Sequence, residues 1–273
     1  MKEINMIKSG SIFKKVLRAI TIKLLLYLEN SGNANFRKNG EKKLIENILE
    51  LYNRLGNREP IIFDVGANVG GWTEELLKIA QKLEMFPQVH AFEPVRSSFE
   101  ELSSKFSGKQ NIFLNNFGLS ENSGEVKIFF SREKDPWSSV YKRNLKQYGL
   151  KFENFQVVRM ERAENYIKSK GIQHINFVKI DTEGHDLYVL LGFGDFLNAE
   201  FIDFIQFEYG EVMIDSRTFL RDFFDLLTPK GFKLAKIMRD GVEIREWKLY
   251  MENFIYSNYI AISEKFLKYF AEK

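Results

Sequence analysis

The 273-residue sequence predicts an α/β fold in which a mostly parallel sheet is covered by helices on both faces. Three observations carry that expectation. Short apolar runs alternate with segments of helical periodicity along most of the chain, the pattern of strands joined by helical crossovers. The stretch IIFDVGANVGGWTEELL, residues 61–77, passes from a buried strand through glycines into a helix, a turn suited to a ligand at the strand ends. The composition, 44% hydrophobic and 28% charged, is that of a globular chain with a sizeable core.

The elements follow in order. Residues 1–30 read as a basic amphipathic helix, with Phe13, Val16, Leu17, Ile20, Leu24, Tyr27 and Leu28 at helical spacing and Lys14, Lys15 and Arg18 on other faces. Two readings stand for it: packing on the core or a second subunit, or lying on an anionic membrane. NSGNANFRKNG, residues 30–40, is a turn-rich linker, and helical spacing resumes from Glu41 to Leu55. An N-terminal helical extension over residues 1–57 and a main domain over residues 58–273 are expected. In that domain PIIFDVG, PQVHAFEP and NIFLNNFGL read as strands, with helices at GWTEELLKIAQKLE and SSFEELSSKF. GEVKIFFS and FENFQVVRME read as added strands joined by the loop KDPWSSVYKRN. Next come helix AENYIKSK, strand INFVKID, helix HDLYVLLGF, strand FIDFIQFEYG and helix SRTFLRDFFDLL, closed by Pro229 and Gly231. FKLAKIM and VEIREW flank Asp240-Gly241, a two-residue hairpin signal, and FIYSNYIAIS is the last strand.

Bulk properties exclude several functions. A formal charge of +3, without a basic stripe interleaved with aromatics, argues against nucleic acid. The absence of cysteine removes disulfides, thiol nucleophiles and cysteine-based zinc sites. The run Ile20–Leu28 is broken by Lys23 and is too short to span a bilayer. No cleavage signal follows it. The expected location is the cytoplasm, or the inner face of the membrane if the N-terminal helix meets lipid.

In FDVGANVGG, glycines 66, 70 and 71 allow positive φ and let a ligand approach the backbone, while N–H groups at the next helix start favour an acceptor. Such a loop serves dinucleotides, phosphates and sulfonium cofactors alike. Two acids narrow the choice. Glu93 ends the second strand, where a carboxylate accepts from both ribose hydroxyls of an adenosine. Asp64 ends the first strand, where it repels a pyrophosphate and attracts an ammonium and a sulfonium. The loop therefore suits S-adenosyl-L-methionine better than a nicotinamide dinucleotide, whose GxGxxG spacing is missing. Adenine is expected at Asn115–Gly118, with Asn116 offering an amide and Phe117 a ring face.

FDVGANVGGWT, AFEP, NNFGLSENSGEV, FVKIDTEGHDLYVLLGF and FIQFEYG, in this order and spacing, resemble the FkbM-type family of S-adenosylmethionine-dependent methyltransferases over roughly residues 60–265. The resemblance implies a class I methyltransferase, Rossmann-like sheet of about seven strands, the last antiparallel, and transfer mostly to hydroxyls of sugars or natural-product scaffolds. It implies that Asp64, Gly66, Asn68, Gly70, Thr73 and Glu93 hold the cofactor. The family usually has a leucine and two aspartates ahead of the fourth strand's helix, where this chain has Ala163, Glu164 and Asn165. Glu164 is expected to cap that helix.

The ligand site of an open parallel sheet lies beyond the carboxyl ends of its strands. There the fourth strand delivers Asp181, Glu183, His185 and Asp186, and the fifth delivers Glu208 and Tyr209. Methyl transfer to a hydroxyl asks for alignment, exclusion of water and removal of a proton. His185 is the candidate base, because an imidazole titrates near working pH. Asp181 and Glu183 are the alternative catalytic groups, and Asp181 is also a candidate for the cofactor's ammonium. The bland reading makes Asp181 and Glu183 helix caps and His185 a surface residue. These groups have the chemistry to bind Mg²⁺ or Mn²⁺, but their spacing within one loop gives that weak support and no metal site is assigned. Trp137, Ser138, Ser139, Tyr141 and Arg143 suit a sugar or polyol and form a candidate lid, and Glu208 joins them as an acceptor-binding acid. The acceptor is expected to be a small molecule or glycan. The 26 phenylalanines are assigned to packing.

Overall fold

The alternation of the sequence resolves into one large sheet and one small one. The computed structural model describes residues 12–132, 135–145 and 148–270, so residues 1–11 of the expected first helix lie outside the described residues. In chain order the elements are α1 (Ile12–Leu28), α2 (Glu41–Arg54), β1 (Ile61–Val65), α3 (Gly71–Lys82), β2 (Gln88–Phe92), α4 (Arg96–Phe106), β3 (Ile112–Asn115), β4 (Gly118–Leu119), β5 (Gly124–Phe130) and β6 (Asn154–Glu161). They continue as α5 (Ala163–Lys170), β7 (Ile175–Ile180), α6 (Asp186–Leu191), β8 (Ile202–Tyr209), α7 (Val212–Ser216), α8 (Leu220–Leu227), β9 (Phe232–Ile237), β10 (Val242–Ile244) and β11 (Ser257–Ser263).

The large sheet has the order β10-β9-β11-β8-β7-β1-β2-β3. Strands β3, β2, β1, β7 and β8 pair in parallel, and β11 runs antiparallel to both β8 and β9. The expected seven strands with an antiparallel last strand are present, and β10 adds an eighth at the edge beside β9. Strand order reverses between β1 and β7, which opens a crevice at their carboxyl ends. β7 is buried along its whole length, as a central parallel strand covered on both faces must be.

Helix α2 belongs to this core. It buries Leu44, Ile45, Ile48, Leu49 and Tyr52 against Ile62, Phe177, Phe204 and Ile260, each side chain worth about 1.5–3 kcal/mol before the cost of ordering it. The segment ahead of it is tied down too. Asn30 Nδ2 donates to the carbonyls of Asn39 and Ile237, and Glu29 meets Lys236 at 3.1 Å. The expected extension therefore divides: residues 29–57 pack with the sheet, and α1 stands off it without a buried residue.

β4, β6 and β5 form the small sheet, the added strands expected between the third and fourth core strands. It rests on the start of α4 through Val95, Ile128, Val158 and Met160. The run NIFLNNFGL, read as one strand, is split. β3 stays in the large sheet, Asn116 and Phe117 make the crossing, and β4 pairs with β6. At the hairpin, four residues rather than two separate the paired Ile237 and Val242, with Met238 N–H donating to the Gly241 carbonyl at 2.8 Å.

Candidate active site

The loop after β1 is shaped by its two neighbours. Gly66 adopts φ 82°, and a Cβ there would lie 1.9 Å from the carbonyl oxygen of Asp181, so only glycine fits against the end of β7. The N–H groups of Gly66 and Ala67 both donate to the Phe92 carbonyl at 3.0 Å. Asn68, at φ 48°, donates its N–H to Glu93 Oε2 at 2.8 Å, while Val95 N–H holds Oε1 at 2.7 Å. The carboxyl of Glu93 is thereby fixed at the end of β2. Burial pushes it up to about 7, against the stabilisation those two donors give.

Beneath the loop lies a buried ion network. The register of β1 on β7 sets Asp64 beside Lys179, whose Nζ is 3.4 Å from Asp64 Oδ1 and 3.1 Å from Asp181 Oδ2. Thr73, in the first turn of α3, donates to Asp64 Oδ2 at 2.6 Å. Burial alone would lower the Lys179 ammonium, but Asp181 and Asp64 outweigh it and raise it. Asp64 is fully buried and is absent from the cavity wall. Where a cationic ligand was expected against Asp64, the structure sets Lys179 as its counter-charge.

A cavity of about 860 Å³ opens at the carboxyl edge of the sheet. Glu183, with φ 52°, points its carboxyl at Arg143, 2.8 Å away. Burial first and the Asp181 charge second push Glu183 up to about 8 in spite of that arginine. His185 is held by two hydroxyls, Ser120 at 3.0 Å from Nε2 and Tyr141 at 3.2 Å from Nδ1, and it stacks on Tyr188. Burial lowers its imidazole to about 4, so the ring is neutral at neutral pH. Glu208 Oε1 accepts from the Tyr256 hydroxyl at 2.8 Å, and burial with the neighbouring carboxylates drives its pKa well up. Asp186 faces inward instead, accepting from Thr182 and from Glu208 N–H and so tying β8 to the turn after β7. Neither Asp181 nor Glu183 caps α6, whose N-cap residue is His185. Likewise Glu164 does not cap α5; it pairs with Arg162 and Lys168.

The loop between β5 and β6 closes the opposite wall. Ser139 exchanges two backbone hydrogen bonds with Phe129, and its hydroxyl donates to the Glu183 carbonyl at 2.7 Å. Arg143, almost wholly buried, also faces Glu211 at 3.5 Å and Asp215 at 3.6 Å. Trp137 packs 5.7 Å from Tyr148, and both line the cavity.

Of the residues expected at the site, Gly66, Asn68, Glu93, Trp137, Ser138, Arg143, Asp181, Glu183, His185 and Glu208 meet in this one cavity. Gly70 and Thr73 lie behind it. Gly70 is pressed against Phe106 and Leu102, and Thr73 is given to Asp64. Asn116 acts from outside by donating to the Glu93 carbonyl at 2.9 Å, while the Phe117 ring packs on Phe92 and Tyr166 with Arg159 over it. Tyr141 reaches the cavity only through His185. The sequence reading missed Lys179, Glu211 and Tyr256, and the contribution of Gly32 and Ala34 to the wall. A lysine inside the mostly apolar run INFVKI was a signal, since a buried ammonium requires paired carboxylates.

Asp181, Glu183 and Glu208 each bring an oxygen within 4.8 Å of the others, a spacing that would hold a divalent cation. Each already has a donor, from Lys179, Arg143 and Tyr256 respectively. The cavity fits the cofactor implied by the loop. Among its described lining residues six are acidic and one, Arg143, carries a permanent positive charge. The raised carboxyls of Glu93, Glu183 and Glu208 are short of positive charge, and a sulfonium and an ammonium supply it. Asn68 Oδ1 is buried with no hydrogen-bond partner among the described residues, an acceptor awaiting a donor at the cavity wall.

The profile of the Methyltransferase FkbM domain matches residues 64–254. Hexuronic acid methyltransferase AglP of Haloferax volcanii is 26% identical over 161 residues, 59% of this chain and 59% of that protein. 2-O-methyltransferase NoeI of Sinorhizobium fredii is 23% identical over 204 residues, 71% of this chain and 81% of that protein. The crystal structure of methyltransferase FkbM from Methylobacillus flagellatus is similar at 15% identity and a TM-score of 0.45, over 90% of this chain and 60% of that one. The match thus spans less than two thirds of the hexuronic acid methyltransferase and of the crystallised protein. The profile match covers most of the chain and takes in Glu93, Asp181, His185 and Glu208: this chain belongs to the FkbM family of S-adenosylmethionine-dependent methyltransferases.

Proposed function

We propose that the protein is an O-methyltransferase that transfers the methyl group of S-adenosylmethionine to a hydroxyl of a saccharide or glycoconjugate, through a catalytic domain over residues 58–273 against which α2 packs. The observation that carries this reading is the convergence, in one cavity, of Glu93 at the end of β2 with Asp181, Glu183 and His185 after β7. Glu93, Asn68 and Gly66 form the cofactor side, with Glu93 as acceptor for the ribose hydroxyls and Asp181 facing the cationic end. When bound, the cofactor supplies an electrophilic methyl on a sulfonium. The acceptor side is the wall of Trp137, Ser138, Arg143, Tyr148 and Glu208, an aromatic surface edged by hydroxyl and acidic groups that suits a polyol. The curated relatives act, by their names, on a hexuronic acid and at a 2-O position, which supports a sugar hydroxyl here.

The chain's own work is to orient and to move a proton. The loop carrying Ser139 and Arg143 is pinned to Glu183 and walls off solvent from the groups after β7. His185, kept neutral by burial, accepts the acceptor's proton at Nδ1, where the hydroxyl of the acceptor replaces the longer of its two partners, Tyr141. Ser120 stays on Nε2 and fixes the ring.

Calorimetry with S-adenosylmethionine, S-adenosylhomocysteine and NAD tests the cofactor side. A screen of neutral, acidic and amino sugars with labelled methyl donor tests the acceptor side. Label transfer to a nitrogen, or to a lipid or polyketide hydroxyl, in place of a sugar would overturn the acceptor class. Cofactor binding with no transfer to any of these would make the protein a binding component of glycan assembly.

A further inference from the structure

We propose that α1 is a lipid-surface anchor, an interfacial helix that lays its apolar stripe into an anionic bilayer. Nothing in the methyl-transfer reading uses this helix. Of its 17 residues none is buried, and Phe13, Ile20, Leu24 and Leu28 stand 71, 57, 55 and 59% exposed. At about 100° per residue, Phe13, Val16, Leu17, Ile20, Leu24 and Leu28 fall within an arc of roughly 120°. An apolar stripe of that size in water is unfavourable unless something covers it.

The charges say what covers it. The helix carries four basic side chains, Lys14, Lys15, Arg18 and Lys23, and no acidic one. A second copy of α1 laid on this stripe would bring Lys15, Arg18 and Lys23 against their counterparts, and residues 12–28 hold no acid to offset them. An anionic headgroup layer offers the complementary sign, and basic side chains around an apolar face are the pattern of interfacial helices. No helix among the described residues is long and apolar enough to cross a membrane. The anchor is also coupled to the rest of the chain. Past its end, Glu29 is held by Lys236 and Arg245, and Arg239 lies 4.0 Å over the Tyr27 ring. Gly32 and Ala34, a few residues on, line the cavity. Six residues of extended chain reach about 20 Å at most, so a surface-bound α1 keeps the cavity mouth close to the headgroups.

The test is co-sedimentation of the full chain with vesicles of phosphatidylcholine alone and of phosphatidylcholine mixed with phosphatidylglycerol. Binding to the anionic vesicles at least ~10-fold tighter than to the neutral ones is expected. The variant Lys15→Glu/Arg18→Glu/Lys23→Glu should lose at least ~10-fold of that affinity, and Leu17→Ser/Ile20→Ser/Leu24→Ser should abolish it. These positions are exposed, so both variants should keep wild-type circular dichroism and affinity for S-adenosylmethionine, and the result stands apart from any methylation assay. Absence of vesicle binding by the wild type, or equal binding to neutral and anionic vesicles, overturns the proposal. A dimer in sedimentation velocity that the serine variant dissolves also overturns it and assigns the stripe to a second copy.

Discussion

Replacing Lys179 by methionine removes the cation that bridges Asp64 and Asp181. The separations are 3.4 Å and 3.1 Å, which at an effective dielectric of about 20 correspond to roughly 5 kcal/mol of attraction each. Desolvation of three charges offsets much of that sum. Asp181 is one-third exposed, so water replaces most of what it loses. Asp64 is fully buried, and its Oδ1 has no hydrogen-bond donor among the described residues. The cost of Lys179→Met is therefore dominated by an uncompensated buried carboxylate, about 3–5 kcal/mol. Asp64→Asn in the same chain removes that charge while Thr73 still donates to the remaining oxygen, and should return about 2–3 kcal/mol of the loss. Urea denaturation followed by circular dichroism, on the wild type, both single variants and the double variant, gives the cycle. A loss below about 1 kcal/mol for Lys179→Met, or a double variant as unstable as the two singles added, would refute the buried network.

Five further outcomes are expected. Glu93→Gln should weaken S-adenosylmethionine about 10–100-fold by calorimetry, the worth of one or two charged hydrogen bonds. His185→Ala should leave that affinity within about twofold and lower kcat about 10²–10⁴-fold, with partial recovery at alkaline pH as the acceptor ionises; retention of full turnover would exclude it as base. The wild-type rate should fall on the acid side with a limb near pH 4, the value burial gives His185, whereas a limb near 8 would transfer the role to Glu183. Binding of the sulfonium cofactor near pH 7 should release protons from Glu93 and Glu183, whose pKa values of about 7 and 8 an incoming cation lowers. Calorimetric heats that do not depend on the buffer's ionisation enthalpy would contradict this. His90, also lowered to about 4 by burial, binds a proton in the unfolded chain below about 6.5 but not in the folded one. Stability should therefore fall as pH drops from 6.5 towards 4, and His90→Phe should remove up to about 3 kcal/mol of that fall in pH-dependent urea melts.

Features encoded within one short stretch were legible in the sequence. Gly66 and Asn68 must turn the chain between β1 and α3, and Glu93 must emerge where β2 ends, because strand, turn and helix signals are local. Asp181, Glu183 and His185 were found the same way. For Asp64, adjacency in sequence does not fix direction in space, and the side chain lies outside the cavity lining. A strand side chain commits to one face, and the face holding Asp64 is the one that meets Thr73 of α3 and Lys179 of β7. Thr73 is nine residues away, but Lys179 is far from it in the chain. Asn116 and Phe117 lie outside the cavity lining for a related reason. The run containing them leaves one sheet for another at that point, and no periodicity marks the change.

Tyr256 and Glu211 were reachable by an inference that was not drawn. An antiparallel last strand starts at the carboxyl edge of its parallel neighbours, so the residues before β11 had to arrive beside the end of β8; the pairing of Ser257 with Tyr209 and Asn258 with Glu208 is that consequence. Gly32 and Ala34 could not be reached so, since their place depends on Asn30 and Ser31 bonding to Ile237 and Ser257, more than 200 residues away. The preference for a sulfonium was read from Asp64, but in the structure the electrostatic character of the cavity rests on several acids. With Asp64 removed from the wall, Glu93, Asp181, Glu183, Glu208 and Glu211 still face the cavity against a single arginine among the described lining residues. A cavity of that sign favours a cationic nucleoside over a diphosphate whichever carboxylate makes the contact.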